Sequence, residues 1–483
     1  MIRVRRSRWG ITLRGLARPR PGPLGDTVLV AAAATAAAGA WWARPWPRSV
    51  LIAAIGLTVV GTLLRRVPLG LAGLFVVTAT LAGQAWSGAA PRAPAPFDRV
   101  VTLRTDPAPL GAGRVAEAVG GTDHVELHAF GGGGRRLSAW LAGQQVHVVG
   151  RLRHPGPASA GRLRARHIVG VVDVERLDLV GDGTPLARSA NRIRQALDRG
   201  ARTMTPLDRS LYLGFVVGDD RDQPPAVVDQ FRDAGLSHLT AVSGENVAFM
   251  LAVADPLLRR LRPSTRWGAR SALIGWFAVL TRFEPSVLRA TVMAGLATTG
   301  AATGRRAGQV RLLSLAVVIT LLLDPLLVRA VGWWLSVGAT AGIAVLAAPL
   351  AARLPGPAPV RAALAVTIAA QLGVAPVSVA VFGPLPLASV PANLLAVPAA
   401  GPVMIYGLPA GLLAAVVPTA VATVIQLPTV LLVRWIAHVA AWTSAWPLPE
   451  LGPGALASAA VAVALVLRRP ARHRVGRPGR RGA

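Results

Sequence analysis

The chain has 483 residues, of which 53% are hydrophobic, and long apolar runs recur along it, which is typical of a polytopic membrane protein and not of a soluble globule. The formal net charge is +30 and every Lys/Arg position is arginine, so a P-loop, which requires lysine, is excluded. The absence of cysteine excludes disulfides, thiolate metal ligands and a cysteine nucleophile.

The N-terminal part of the chain is basic and then strongly apolar. We interpret residues 1–23 as a cytoplasmic tail, because arginine beside membrane spans favours the cytoplasmic side. Residues 24–90 then contain three apolar runs, near 27–43, 48–64 and 67–86, which predict N-terminal membrane segments. The third segment is expected to end on the outer side of the membrane.

Residues 91–185 alternate between apolar and polar side chains and predict a small soluble domain. The alternation covers the strands expected at 99–105, 123–130, 145–154 and 163–180, with turns at 131–134 and 155–161. About five short strands suit an OB-type barrel. We therefore expect an extracytoplasmic, all-β, OB-like domain.

The remainder of the chain predicts a second group of membrane segments. Residues 186–207 have the spacing of an amphipathic helix at the membrane surface, with Ile193 and Leu197 opposite Arg194. Residues 208–467 contain further apolar segments, and the proline-rich run 387–417 is expected to be one broken crossing. Residues 468–483 form a second basic cytoplasmic tail.

These segments together predict the fold class. If the N-terminus is cytoplasmic, each strongly basic short loop falls on the same side of the membrane. The prediction is an α-helical polytopic membrane protein with about 12 membrane segments, some broken or re-entrant, and one inserted OB-like domain. Both termini are then cytoplasmic.

The stretch GLSHLTAVSGENVAFML, residues 235–251, starts polar and runs directly into an apolar segment. Polar groups at such a place usually face a bundle interior or a water-filled path. The alternative is that the helix begins near Phe249 and the polar residues lie among the lipid headgroups. The candidate residues are His238, Ser243, Glu245 and Asn246.

This stretch resembles the core signature of the ComEC-type competence channels. Three later stretches resemble further motifs of that family in the same order: PSVLRATVMA, DPLLVRAVGWWLSVGATAGI and QLGVAPVSVAVFGPLPLASVPANLLAVP. The polar positions that match are Arg289, Asp324, Gln371 and Asn393. Two roles are open for them, lining a path or joining helices by hydrogen bonds.

The signature departs from the family at Glu245-Asn246, where Leu-His is common. No role for that histidine can therefore be carried over. A carboxylate at membrane depth needs a partner, and Arg289 or Arg282 is the predicted one for Glu245.

The resemblance implies passage of single-stranded DNA across the cytoplasmic membrane during natural transformation. It also implies an outer DNA receptor, pilus machinery and a cytoplasmic ATPase or helicase as partners, besides membrane lipid. Many members carry a metallo-β-lactamase-like nuclease domain, whose H-x-H-x-D-H cluster does not occur here. We therefore expect no metal, no cofactor and no catalytic residue, and a separate nuclease.

The OB-like domain is expected to contact DNA through arginines. OB-type domains bind single strands with a basic groove and stacking aromatics, and the scarcity of aromatics here favours backbone contact. The alternative is an ordinary solvated surface. The predicted DNA-binding residues are Arg104, Arg114, Arg135, Arg136, Arg151, Arg153, Arg162, Arg164 and Arg166.

Two other functions are open. One is a transporter of another anionic or lipid-linked substrate on the same scaffold. The other is an intramembrane serine protease, in which Ser243 would be the nucleophile and His438 the base.

Overall fold

The computed structural model describes residues 25–240, 243–305, 307–446, 449–454 and 457–458. Both predicted basic tails, 1–23 and 468–483, lie outside the described residues, as does most of the last predicted span near 454–467. The described chain is mostly helical and carries one small sheet domain.

Three helices precede the sheet domain, and their bounds lie within two residues of the predicted ones: α1 (Asp26–Trp42), α2 (Arg48–Leu63) and α3 (Val67–Gly88). Helix α3 packs closely on α2 at Gly73, where an added Cβ would lie 2.6 Å from the Thr58 backbone nitrogen. Small residues at such contacts let membrane helices approach each other closely.

The sheet domain contains six strands: β1 (Ala95–Leu103), β2 (Ala108–Leu110), β3 (Gly113–Gly120), β4 (Asp123–Ala129), β5 (Gln145–Arg153) and β6 (Ile168–Gly181). Five of them form a closed ring of pairs, β1–β5–β6–β4–β3–β1. The β4–β6 pair is parallel and the other pairs are antiparallel, so the sheet is mixed. Inward-facing residues such as Val101, Leu127 and Val148 fill the core.

Two short helices correct the prediction of an all-β domain. Helix α4 (Gly131–Ser138) begins at the predicted glycine turn, and α5 (Pro157–Ala165) occupies the start of the predicted last strand, which begins only at Ile168. Each helix buries one leucine, Leu137 and Leu163 respectively. One buried leucine among glycine, serine and arginine gives no periodicity, so the sequence pattern did not reveal these helices.

The rest of the chain forms a helical bundle. Its first helices are α6 (Pro185–Gly200), α7 (Pro206–Val217), α8 (Pro225–Asp233), α9 (Ser237–Thr240), α10 (Gly244–Leu258), α11 (Pro263–Leu280), α12 (Pro285–Ala302) and α13 (Gln309–Leu323). A 3-10 turn (Pro325–Arg329) leads to α14 (Val331–Gly342), which continues through a π-helical turn (Ile343–Ala347) into α15 (Ala348–Arg353). The last helices are α16 (Ala358–Phe382), α17 (Ser389–Ala414) and α18 (Thr419–Ser444); the short strands β7 (Leu385–Pro386) and β8 (Glu450–Leu451) pair.

Five helices of the described chain are long and apolar enough to cross a membrane: Val67–Gly88, Val331–Arg353, Ala358–Phe382, Ser389–Ala414 and Thr419–Ser444. Helices α2 and α13 are apolar but shorter. The chain is thus a membrane protein by the length and composition of its helices. The number of about 12 segments stays a prediction.

Two bundle helices differ from the expected ones. Helix α17 is continuous across Pro398, Pro402 and Pro409, whereas a broken crossing was predicted. Membrane helices tolerate proline where neighbouring helices pack around them, and α17 packs along α18. Helix α6 packs into the bundle, and its Arg194, predicted on the polar face, is buried.

Candidate functional site

The signature stretch forms the short helix α9 and then α10, which begins at Gly244 and not near Phe249. Ser243 caps α10, because its Oγ accepts a hydrogen bond from the Glu245 backbone N–H at 3.3 Å. The same hydroxyl donates to Asn246 Oδ1 at 3.3 Å. Buried Asn246 donates from Nδ2 to the Phe215 carbonyl of α7 at 3.0 Å, so it joins two helices.

Arg289 lies in α12 and is 6% exposed. Its Nε donates to Ser336 Oγ of α14 at 2.9 Å, and its Nη1 contacts Met293 Sδ at 2.8 Å. Its Nη2 lies against Gly244, where an added Cβ would be 3.0 Å away. Three of the four family motifs in the sequence therefore meet at one guanidinium group.

The predicted ion pair between Glu245 and Arg289 is wrong. Over the described ranges, no carboxylate lies within ion-pair distance of Arg289, and the exposed Glu245 has no ion-pair partner. The guanidinium of Arg289 is instead directed at Ser336 of α14. Glu245 occupies the first turn of α10, where the helix dipole favours a negative charge without an arginine.

Asn393 forms hydrogen bonds at the start of the signature stretch, residues 235–251. Its Nδ2 donates to the Ser389 carbonyl at 2.7 Å and to the Gly235 carbonyl at 3.4 Å. Gly235 has a φ of +67° and lies so close to Ser389 that a Cβ would collide with it. Only glycine fits both conditions. The described contacts of Asn393 thus match the helix-joining role.

The other predicted positions are spread over the bundle. The His238 side chain is exposed on α9, and Gln371 is half-buried on α16. Close by Gln371, a Cβ at Gly373 would collide with the Gly338 carbonyl of α14, so α14 and α16 cross at backbone contact.

Asp324 links the bundle to the sheet domain. Its Oδ1 accepts a hydrogen bond from the Leu326 N–H at 3.0 Å and lies 3.0 Å from His167 Nε2. Next to this contact, Arg164 stacks on the Trp86 ring at 4.3 Å and donates to the Trp86 carbonyl at 2.9 Å. Arg164 therefore holds the domain on α3 and is not on a free DNA-binding surface.

A buried ion cluster forms the second link between the bundle and the sheet domain. We call it the Asp106 cluster; its members are Asp106, Arg194, Arg282 and Asp219. Arg194 Nη2 lies 2.8 Å from Asp106 Oδ2 and 3.3 Å from Asp219 Oδ2. Arg282 binds both oxygens of Asp106, at 3.1 and 2.9 Å. Arg282, the second predicted partner of Glu245, is thus engaged elsewhere.

The sequence analysis missed the Asp106 cluster. Its members lie far apart in the chain and form no motif. One signal was present: Arg194 shares a helical stripe with Ala190, Leu197 and Ala201, all fully buried. An arginine in a buried stripe requires a buried anion.

Apart from Arg164, the predicted DNA-binding arginines fall into two groups. Three are paired on the domain itself: Arg136 with Asp178 at 3.6 Å, Arg153 with Asp173 at 2.7 Å, and Arg166 with Glu117. Within the described part of the chain, the following have no ion-pair partner: Arg104, Arg114, Arg135, Arg151 and Arg162.

Comparisons with known proteins place this bundle in a family. Residues 215–472 match the family described as Competence protein. A stretch of 207 residues is 31% identical to "Uncharacterized protein YcaI" of Escherichia coli (strain K12), over 39% of this chain and 27% of that protein. A stretch of 202 residues is 27% identical to "ComE operon protein 3" of Bacillus subtilis (strain 168), over 40% and 25% of the two chains.

The matched stretches thus span about a quarter of the length of these curated relatives. No solved structure matches the chain significantly. The family match covers more than half of the sequence and includes every motif that meets at Arg289. The chain is therefore a membrane protein that belongs to the competence protein family.

Proposed function

We propose that the chain conducts single-stranded DNA across the cytoplasmic membrane during natural transformation. The observation that carries the proposal is an arginine-rich sheet domain fixed over one end of the bundle. The domain contacts Trp86 near the end of α3, Arg282 between α11 and α12, and Asp324 after α13. All three contacts lie at helix ends, so a polyanion on the domain is held where a membrane path would open.

The strand order supports an OB-type domain. A closed ring of five strands, with α4 between β4 and β5, suits an OB barrel, whose ligands bind near the loop after the first strand and the loop before the last. In this chain those loops carry Arg104 and Arg162, neither of which has an ion-pair partner in the described chain. These residues, with Arg114, Arg135 and Arg151, are the proposed contacts to the DNA backbone.

The proposed membrane arrangement agrees with the same contacts. With a cytoplasmic N-terminus and about 12 segments, the α3 end, the α11–α12 loop and Asp324 all fall on the outer side, and so does the domain of residues 91–185. Basic residues such as Arg259, Arg260 and Arg353 fall on the cytoplasmic side, as the positive-inside rule requires. The other proposed domains are the basic tails, residues 1–23 and 468–483, the N-terminal membrane segments, 24–90, the surface helix, 186–207, and the channel domain, 208–467.

The proposed partners are those that the resemblance to the ComEC-type competence channels implies. A conducting path supplies no driving force of its own, so an ATPase or helicase on the cytoplasmic side would pull the strand. An outer DNA receptor and pilus machinery would deliver DNA, and a separate nuclease would remove the second strand.

Membership of the competence family fits a channel rather than a catalytic role. The geometry gives no support to a serine protease, because Ser243 Oγ bonds to Asn246 and no hydrogen bond joins it to His438 among the described residues. The alternative function is a transporter of another anionic or lipid-linked substrate on the same scaffold.

The test is a strain that lacks the gene, complemented with the wild-type chain. Labelled donor DNA that becomes resistant to external nuclease is measured, together with transformation frequency. We expect both to be lost in the deletion and restored by the chain. Undiminished uptake in the deletion strain would favour the transporter of another anion.

A further inference from the structure

We propose that Arg164 of the sheet domain and Arg329 of the bundle form a site that binds the phosphate of an anionic phospholipid headgroup. Both guanidinium groups lie on the ring of one tryptophan, Trp86, near the end of the membrane helix α3. The inference goes beyond the proposed function, because it does not depend on whether the chain conducts DNA.

The first observation is that the two arginines share one aromatic ring. The guanidinium carbon of Arg164 lies 4.3 Å from the centroid of the Trp86 ring, and that of Arg329 lies 4.5 Å from the same centroid. Each cation is attracted to the ring face, but two like charges held so close repel each other. Burial and the neighbouring Arg329 charge both lower the pKa of the Arg164 guanidinium below its ordinary value. An anion that contacts both groups would offset this repulsion.

The second observation is that the described chain supplies no such anion. No carboxylate of the described residues lies within ion-pair distance of Arg164 or Arg329, and the preceding acid in the chain, Asp324, pairs with a histidine. Arg164 Nε donates to the Trp86 carbonyl at 2.9 Å, and Arg329 Nη2 donates to the Trp41 carbonyl at 3.1 Å. Among the described residues, both Nη nitrogens of Arg164 and the Nη1 nitrogen of Arg329 have no hydrogen-bond partner. Arginine N–H groups of this kind suit a phosphate.

The third observation is the depth of the pair in the membrane. Trp86 lies in the last turn of α3, which is long and apolar enough to span a membrane. Arg329 also lies over the ring of Trp41, at 5.2 Å, so the ends of α1 and α3 are at the same level. Trp41 and Trp42 are 57% and 60% exposed. Exposed tryptophan at helix ends is typical of the membrane interface, which is where phospholipid phosphates lie.

The fourth observation is access. Arg164 and Arg329 are half-buried, so the ring and the backbone carbonyls hold them in place while both still reach the surface. In the proposed membrane arrangement this surface is the outer one, where the positive-inside rule disfavours arginine beside membrane spans. An anionic ligand accounts for arginines at this place. The exposed rings of Trp41 and Trp42 favour lipid as its source over a DNA strand in an aqueous path.

The experiment measures binding of dioctanoyl-phosphatidylglycerol to the full chain in a neutral detergent by native mass spectrometry. We expect the wild type to hold one molecule more tightly than any others. Arg164→Gln and Arg329→Gln should each weaken this binding about tenfold, because each removes a charge-assisted hydrogen bond to the phosphate. Dioctanoyl-phosphatidylcholine carries a choline cation that offsets its phosphate, so it should bind the wild type and both variants equally.

Two further variants separate the site from general effects of charge and folding. Arg48 is exposed at the start of α2, at the same end of the bundle, and stacks on no ring in the described chain, so Arg48→Gln should leave the affinity unchanged. Arg329→Lys keeps the charge and should recover most of the affinity that Arg329→Gln loses. An equal loss in Arg329→Lys and Arg329→Gln would assign the effect to packing and overturn the site.

Other outcomes would also overturn the inference. Equal affinity for phosphatidylglycerol in the wild type, Arg164→Gln and Arg329→Gln would show that the site does not exist. A loss in one of these two variants alone would show that the arginines do not share a phosphate. If both variants bind oligothymidylate more weakly and the lipid as well as the wild type does, the pair contacts DNA instead. Uptake in the deletion strain tests the proposed function separately.

Discussion

Asp106 of the sheet domain and Arg194 of helix α6 form an ion pair of 2.8 Å in which the side chains are only 8% and 4% exposed. Arg282 binds the same carboxylate from the loop between α11 and α12. Burial alone raises the pKa of the Asp106 carboxyl, but Arg194 and Arg282 outweigh burial and hold that pKa well below its ordinary value. One aspartate therefore fastens the sheet domain to two parts of the bundle.

Asp106→Ala should release the domain. The substitution removes the carboxylate that Arg194 and Arg282 share and, in the described chain, leaves Arg194 only its longer ion-pair contact with Asp219, at 3.3 Å. Breaking such a buried pair costs about 3–5 kcal/mol. Hydrogen exchange in β1 and α6 should rise, while the core of α17 stays protected. The matched control is Asp173→Ala, which removes an exposed pair with Arg153 and should cost about 0–1 kcal/mol. Equal effects of the two substitutions would show that the cluster does not hold the domain.

The same contact should resist mild acid. The pKa of Asp106 in the folded protein lies below the unfolded value of about 3.9, so its stabilising contribution is complete above that pH. The contribution is lost only as pH falls through the lower folded value. Hydrogen exchange at the domain contact, corrected for intrinsic rates, should stay constant from about pH 8 to about pH 5. Opening of this contact within that window would contradict the assignment.

Glu245 and Arg289 should act independently. Because no ion pair joins them in the described structure, the losses of DNA uptake in Glu245→Gln and Arg289→Gln should multiply in the double variant. The measurement is nuclease-resistant labelled DNA per cell, normalised to protein in the membrane. A double variant no worse than the worse single variant would instead show that the two residues are coupled.

The arginines of the sheet domain should differ according to their partners. Arg151→Gln removes a guanidinium without an ion-pair partner in the described chain, so DNA affinity and salt slope should both fall. Arg153→Gln, two residues along β5, removes one already paired with Asp173 and should change the slope little. Salt titrations of the full-length variants measure the difference. Equal slopes for Arg151→Gln and the wild type would remove Arg151 from the DNA contact.

The sequence predicted the helices and strands that a continuous run of apolar or alternating residues defines. Helices α2 and α3 were placed within two residues, because arginine and proline bound their apolar runs. The strands β4 and β5 followed from alternation alone. Helices α4 and α5 were missed because glycine and arginine dominate them, and the continuity of α17 depends on packing against α18, which its prolines do not reveal.

The site was predictable as a set of residues and not as a set of contacts. The motifs identified Arg289 and Asn393, but the partner of Arg289 is Ser336, 47 residues away. Asp106 and Arg282 are 176 residues apart, and no periodicity connects them. The Asp106–Arg282 pair forms only when the sheet domain docks on the bundle. The prediction of Arg289 or Arg282 as the partner of Glu245 was therefore wrong.

The most direct test of the central claim uses proteoliposomes that enclose a single-strand-specific nuclease. A labelled single strand added outside is degraded only if it crosses the membrane, and a duplex of the same sequence is the control. We expect the wild-type chain to degrade the single strand and spare the duplex, and Arg289→Met to slow the reaction. Protection of the single strand equal to that in empty liposomes would contradict the proposal that this chain forms the path.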